Sequence, residues 1–412
     1  MRAVLAVRDF RLLWLSQVGS TLADQIVFVV LAIYVNRIGS PTDVGLVLAA
    51  GTVTLVAFLL LGGVWADRLP RHGIMVAADV CRGVLHGVLA VLILTGEPAV
   101  WLIALIEALF GIARAFFQPA YTGLIPQTVP EHMVGPAQAT TALSGTVAGT
   151  LGPGVGALLI VTVGAGTAFA IDAATFFVSA ALLLRVRARD RGGERKPRAP
   201  ALREIADGFG EIRARPWTAW IIGWAAIIML VGYGPHGALG PAIADDVYGR
   251  DAVFGVILSV SGAGTVIGAA LALRWEPERP AFSGMIATLP WVCELLFFAL
   301  GTPLPAMLAV SLSAGVAIGL FDVWWETAVA RSIPPAALSR FASVDWMGSL
   351  ALLPIGFALA GPLGEAFGPR STLGVGGAVA LVMTLLVISR PAVRAFSYPK
   401  SGTPAVGVEA SP

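Results

Sequence analysis

The residues of this chain that invite chemistry are ionisable groups stranded in apolar surroundings. Asp24, Glu107, Asp172, Glu294, Asp322 and Glu326 stand inside long apolar runs, as do Arg82 and Arg114. On a helix, Glu107 and Arg114 lie two turns apart on one face, and Asp322 and Glu326 lie one turn apart on another. At bilayer depth each such charge costs about 2.5–3.5 kcal/mol, so each calls for a partner, a proton or a cargo. Asp24, central in its run, is the strongest candidate for a proton carrier. Arg114 pairing by turns with Glu107 or Asp24 would make an exchange element that admits substrate or proton but not both. Asp322 and Glu326 read as a second proton site or a cation-attracting pair. The remaining groups read as structural: Asp79 with Arg82 as an i,i+3 ion pair, Asp172 as an interhelical acceptor, Asp345 as a helix cap or a partner of the loop after span 2. His86 and His236 read as packed or cavity-lining, and Glu294 is open between the two roles. Trp324, Trp325, Phe116, Phe117 and Tyr233 offer stacking surface near the presumed cavity, though at helical spacing packing is the commoner use.

The elements that must position these groups are membrane spans. The chain has 412 residues, 57% hydrophobic and 13% charged, with a mean hydropathy of +0.83. Soluble chains carry roughly 25% charged residues. Apolar runs between charged or Gly/Pro-rich breaks give twelve spans: 11–35, 44–65, 74–95, 99–120, 137–160, 166–185, 217–240, 252–274, 281–301, 304–328, 342–362 and 371–390. With the N-terminus placed inside, twenty-two of the 27 basic residues fall in inside segments and three in outside loops. That bias predicts both termini in the cytoplasm of a bacterial inner membrane. The first span starts after charged residues and is too long for a cleaved signal peptide. A net charge of +2 gives nucleic-acid binding no support. Cys81 and Cys293 have neither metal-ligand nor redox spacing, and no metal or cofactor is expected.

The two halves repeat at an offset of 210: Gly45-Leu-Val-Leu48 answers to Gly255-Val-Ile-Leu258, each after an acidic outside loop. Val129-Pro130 parallels Ile333-Pro334, and Gly152-Pro153 parallels Gly361-Pro362, though the spacing from the preceding Pro differs by five residues between the halves. The expected organisation is a bundle over 1–185, a cytoplasmic linker over 186–216 that is partly helical around 202–214, a second bundle over 217–392 and a disordered tail over 393–412. A duplicated six-helix unit implies alternating access by rocking one bundle against the other.

The most specific signal is Gly63-Val-Trp-Ala-Asp67-Arg68-Leu-Pro-Arg71-His72 at the inside end of span 2. It resembles the G-x-x-x-D-R-x-G-R-R/K signature loop of the major facilitator superfamily, with Pro70 in place of Gly and His72 in place of a second base. The resemblance implies that Gly63, Asp67, Arg68 and Arg71 latch the inside gate, and that the first helix, carrying Asp24, lines the cavity. The equivalent in the second half is degenerate, with Pro277 opposite Asp67. Gly152-Pro153-Gly-Val-Gly156-Ala157 is similar to the G-P-x-x-G-G element of the drug/proton antiporter branches. Its glycines permit close helix approach, and its proline bends the helix. The phrases around Asp172, Arg340-Phe-Ala-Ser343-Val-Asp345 and Leu353-Pro-Ile-Gly356 resemble the subfamily of macrolide-efflux proteins and the enterobactin exporter. That likeness spans about residues 8–392 and implies proton-driven export of amphipathic small molecules. It further implies an all-α fold of twelve transmembrane helices in two pseudo-symmetric bundles, working as a monomer on a small-molecule substrate and protons.

Enzymes and ATP-driven pumps are disfavoured, because no H-E-x-x-H, G-x-S-x-G or Walker-type G-x-x-x-x-G-K occurs. Solute uptake remains the rival within the same fold, since symport and antiport use the same carboxylate chemistry.

Overall fold

The computed structural model of the protein describes residues 2–187 and 208–397, with backbone alone at 2, 60–68, 335, 336 and 339. Twelve helices are long and apolar enough to cross a membrane. In the first half they are α1 (Arg8–Ile38), α2 (Pro41–Arg68), α3 (Arg71–Thr95), α4 (Val100–Thr128), α5 (Val134–Thr162) and α6 (Gly164–Leu183). In the second they are α7 (Pro216–Tyr248), α8 (Val253–Ala272), α9 (Pro280–Leu300), α10 (Leu304–Ser332), α11 (Pro335–Leu350 continuing as Leu353–Phe367) and α12 (Pro369–Ser389). Within each half the connections are short and punctuated by Gly and Pro, so successive helices run antiparallel, and the start of α1 and the end of α12 lie at one end of the molecule. Gly249 (φ 69) and Gly301 (φ 74) close α7 and α9 in the left-handed conformation that an L side chain rarely adopts.

The span expected to end at 120 runs on to Thr128, straight through Pro119 and Pro126. Packed membrane helices tolerate such prolines because neighbouring groups re-satisfy the freed backbone. In α7 the helix widens to a π turn over Met229–Tyr233, just ahead of Gly234-Pro235. Pro235 has no N–H to return to the Val231 carbonyl, and Gly376 of α12 lies directly against that oxygen. Of the linker, 208–213 is helical, and 188–207 lies outside the described residues. The stretch expected to open a disordered tail instead begins within the short helix Pro391–Ala395, with Val393 buried; 398–412 lies outside the described residues. Helix α11 begins ten residues before Asp345, so that carboxylate caps nothing. It accepts hydrogen bonds from Trp325 Nε1 at 3.1 Å and Ser349 Oγ at 3.2 Å.

The repeat read from the sequence recurs in the packing. Gly111 of α4 lies against the Gly51 carbonyl of α2, and Gly315 of α10 against the Ser261 carbonyl of α8. Gln17 Nε2 of α1 donates to Ser179 Oγ of α6 at 3.4 Å, and Trp224 Nε1 of α7 to Thr384 Oγ1 of α12 at 2.9 Å.

The named contacts between the two bundles run from mid-helix to the end away from the termini. There Arg37 of α1 forks onto Asp251, Nε to Oδ2 at 2.6 Å and Nη2 to Oδ1 at 2.8 Å. The Thr42 N–H donates to Glu365 Oε1 at 3.2 Å, and Thr150 Oγ1 donates to the Gly262 carbonyl at 3.0 Å. Glycines bring the backbones together: a Cβ on Gly255 would stand 2.7 Å from the Pro153 carbonyl, and one on Gly262 2.6 Å from Thr150 Cα. This seam joins the two bundles over that half.

Candidate functional site

A cavity of about 240 Å³ opens in the half of the first bundle nearer the termini. Helix α1 supplies Trp14, Gln17 and Asp24, α3 supplies Arg82, α4 supplies Arg114, Phe117 and Tyr121, and α5 supplies Ser144. The wall is thus aromatic with a few charges, which suits a ligand with both characters. Trp14 is steadied by its Nε1 donating to Ser144 Oγ at 2.8 Å.

At the back of the cavity stands Arg82, its side chain 3% exposed, with Nη1 3.9 Å from Asp24 Oδ2. Its Nη2 is hydrogen-bonded to Asp79, the i,i+3 pair expected from the sequence. Asp79 also accepts from Ser179 Oγ of α6 at 2.6 Å. Phe117 and Phe176 sandwich the guanidinium, their ring centroids 4.2 and 4.3 Å from it. A buried cation needs such company: charge-assisted bonds on its edge and π-faces on its planes. Asp24 differs from Asp79 in being 25% exposed toward the cavity. It alone of Arg82's carboxylate partners can meet an incoming solute.

One turn further from the termini, a second cluster is buried. His86 Nδ1 lies 2.5 Å from Asp172 Oδ2 of α6, and His86 Nε2 lies 3.4 Å from Glu107 Oε1 of α4. The ring stacks on Phe110 at 4.0 Å and takes the edge of Phe169 at 5.3 Å.

Asp24 and Arg114 therefore line one cavity but do not pair in it. Glu107 does not join them, because seven residues of helix rise about 10 Å and put it on another level; it faces His86 instead of Arg114. Among the described residues the Arg114 guanidinium has no carboxylate within 4.0 Å, and the residue is exposed. Asp322 and Glu326 are likewise outside this cavity. They are exposed on α10, with no hydrogen bond or ion pair among the described residues. Glu294 is buried in α9 beside Ser311 of α10. Of the aromatics singled out, Phe117 lines the cavity, whereas Trp324 donates to the Trp275 carbonyl at 3.0 Å. Gly63, Asp67 and Arg68 have side chains outside the described residues; Arg71 Nη1 donates to the Gly123 carbonyl of α4 at 2.5 Å.

Gly152, Pro153 and Gly156 lie between two helices. Gly152 sits against Gln25 of α1, and a Cβ on Gly156 would stand 2.7 Å from the Ile26 carbonyl. The Pro153 carbonyl meets Gly255 of α8 on the other bundle. This segment joins the stretch beside Asp24 to the seam between the bundles.

Sequence comparison agrees with the fold. The profile described as Major Facilitator Superfamily matches residues 13–349. The chain belongs to the major facilitator superfamily. Among its relatives, a multidrug efflux pump, Tap, from Mycolicibacterium fortuitum is 26% identical over 86% of this chain and 87% of its own length. The enterobactin exporter EntS of Escherichia coli O1:K1 / APEC is 24% identical over 92% of this chain and 91% of its own length. Among solved structures, the nucleoside transporter NupG superposes with a TM-score of 0.70 at 12% identity, covering 93% of this chain and 98% of that one. A bacterial homologue of the human lysosomal transporter Spinster gives 0.70 at 17% identity, covering 94% and 96%. This facilitator is thus a multi-pass membrane transporter of small molecules, not an enzyme.

The sequence reading missed Arg82 and His86 as members of the site. Their signal was present: 79, 82 and 86 follow the i, i+3, i+7 spacing of one helical face, which lines up an acid, a base and an imidazole along α3.

Proposed function

We propose that this transporter exports an amphipathic small molecule in exchange for protons, with both termini in the cytoplasm of a bacterial plasma membrane. Asp24 carries this reading: it is a carboxylate on the cavity wall, shared between solvent and a buried arginine. A proton on Asp24 releases Arg82 to Asp79 alone, and a cargo approaching Arg114 and the aromatic wall meets an altered field. Cargo and proton then compete for one set of charges, which is the requirement for exchange. The cavity lies in the half nearer the termini and the seam shuts the opposite end, so this conformation loads from the cytoplasm. The basic residues, concentrated in the segments on the side of the termini, support the orientation. The relatives described as an efflux pump and an exporter support the direction.

In this reading Arg71, with Gly63, Asp67 and Arg68, forms the latch that closes the cytoplasmic side. Gly152, Pro153 and Gly156 let α5 slide against α1 while it stays seated on α8. Asp322 and Glu326, on the second bundle, draw cationic cargo or take a second proton. Everted vesicles acidified by respiration provide the test, with ethidium and a panel of lipophilic drugs as probes. Cargo is expected to provoke proton release from the lumen, and Asp24→Asn to be made in normal amounts yet give no release. Wild-type vesicles that ignore the whole panel would remove coupling, and a fully active Asp24→Asn would remove Asp24 as the carrier.

A further inference from the structure

The cluster around His86 takes no part in lining the cavity, and its hydrogen bonding does not close with the protons of ordinary side chains. Asp172 Oδ2 and Glu107 Oε1 face the two nitrogens of one imidazole, at 2.5 and 3.4 Å. A neutral imidazole has a single N–H, so it can serve one carboxylate while turning a lone pair on the other. His86 Nε2 and Glu107 Oε1 are buried and find no other partner, and Asp172 Oδ1 is also unpaired. Arg82 makes no ion pair with either carboxylate: it bonds Asp79 and lies 3.9 Å from Asp24, and its Nε finds no partner. Two carboxylates pressed on one imidazole in a dry interior would leave a large uncompensated charge. One further proton removes the conflict, whether it sits on Nε2 or on Glu107.

We propose that His86, held between Asp172 and Glu107, is a proton-binding site of the first bundle, separate from the cargo cavity and set on its far side. The groups that face the ring nitrogens are Asp172 from α6 and Glu107 from α4; the nearest other charges are Arg82, one turn away on α3 with its partner Asp79, and Asp24 from α1. The face of Phe110, stacked at 4.0 Å, favours the ring in its cationic form, so the added proton resides on Nε2. Glu107 is the way in, because its side chain keeps 11% exposure against 2% for His86 and 1% for Asp172. His86 stands four residues beyond Arg82, about 6 Å along the helix. A proton lodged there lies between the cytoplasm-facing cavity and the shut end, where the opposite conformation would release or admit it. Arg82 and Asp24 form the link by which that charge is felt at the cavity.

The role in transport rests on the coupled reading above; the binding of the proton does not. Nitrogen-15 NMR of histidine-labelled full-length protein in lipid nanodiscs reads it without any cargo. Replacing His72, His132 and His236 by Gln one at a time assigns the His86 signals even if His86→Gln does not fold. At pH 7 both His86 ring nitrogens are expected to carry protons in the wild type, and only one in Glu107→Gln. A wild-type ring that stays neutral, or a Glu107→Gln ring protonated as in the wild type, overturns the proposal. Vesicles unresponsive to a pH gradient would instead overturn the coupled reading, and the two failures are told apart by which instrument reports them.

Discussion

The fork of Arg37 on Asp251 ties the first bundle to the second at the end away from the termini, so cutting it should favour the conformation open at that end. The perturbation is Arg37→Gln, which keeps the side chain's reach and polarity but removes its charge. Hydrogen bonds to charged groups contribute roughly 1.5–3 kcal/mol where solvent is excluded. Here Arg37 is 42% exposed and Asp251 12%, so screening brings the pair down to about 1 kcal/mol. That corresponds to about a fivefold shift between the two conformations. Spin labels on Cys substituted for Glu97 and Pro303, in a protein with Cys81 and Cys293 replaced by Ala, report the separation of the far ends. The longer-distance population is expected to rise by about fivefold in Arg37→Gln and to return when the charges are exchanged as Arg37→Asp with Asp251→Arg. High salt should move the wild type toward the variant, since exposed pairs are screened. Distance distributions in Arg37→Gln that match the wild type would refute the idea that this pair holds the seam.

Removing the guanidinium of Arg82 should be far more damaging: Arg82→Ala strands Asp79 in the interior and is expected to cost about 3–5 kcal/mol, read as loss of folded protein in a thermal melt. Arg114→Ala should leave that melt unchanged, because the group has no carboxylate partner to strand, and should alter which cargoes are exported in a drug-susceptibility panel. Gly156→Ala drives a methyl into the Ile26 carbonyl, and overpacking of this kind costs about 1–3 kcal/mol; a lowered melting temperature together with slowed transport is expected. Ser179→Ala withdraws the 2.6 Å hydrogen bond to Asp79, and a loss of about 1–3 kcal/mol should appear in the same melt.

Much of the architecture could be read from the chain because a bilayer imposes length and polarity on every span. The twelve helices and the duplicated halves follow from apolar runs and from pairs such as Gly45 with Gly255. The boundaries were less legible. Pro119 and Pro126 look like stops in a sequence, yet in α4 neighbouring helices absorb them. Within the site, Asp24 was legible because a charge in the middle of an apolar run has few innocent explanations. The partner of Glu107 was not: helical spacing pointed along the face to Arg114, while the true neighbour, His86, comes from another helix. Spacing within one helix says which residues share a face but carries no information on what that face meets. The exposure of Asp322 and Glu326 was hidden for the same reason.

The unequal distribution of charge between the two halves has a consequence for how such a protein diversifies. Among the described residues Arg82 is the sole buried arginine, and Asp79, His86, Glu107 and Asp172 accompany it in the first half. Glu294 is the lone acid buried within a helix of the second. Buried ionisable groups are therefore concentrated in one lobe, and the opposing lobe can change its packing without stranding them. Relatives are expected to accept substitutions within the helices beyond residue 216 more readily than around Arg82, where each change of size or polarity leaves a buried charge without its partner.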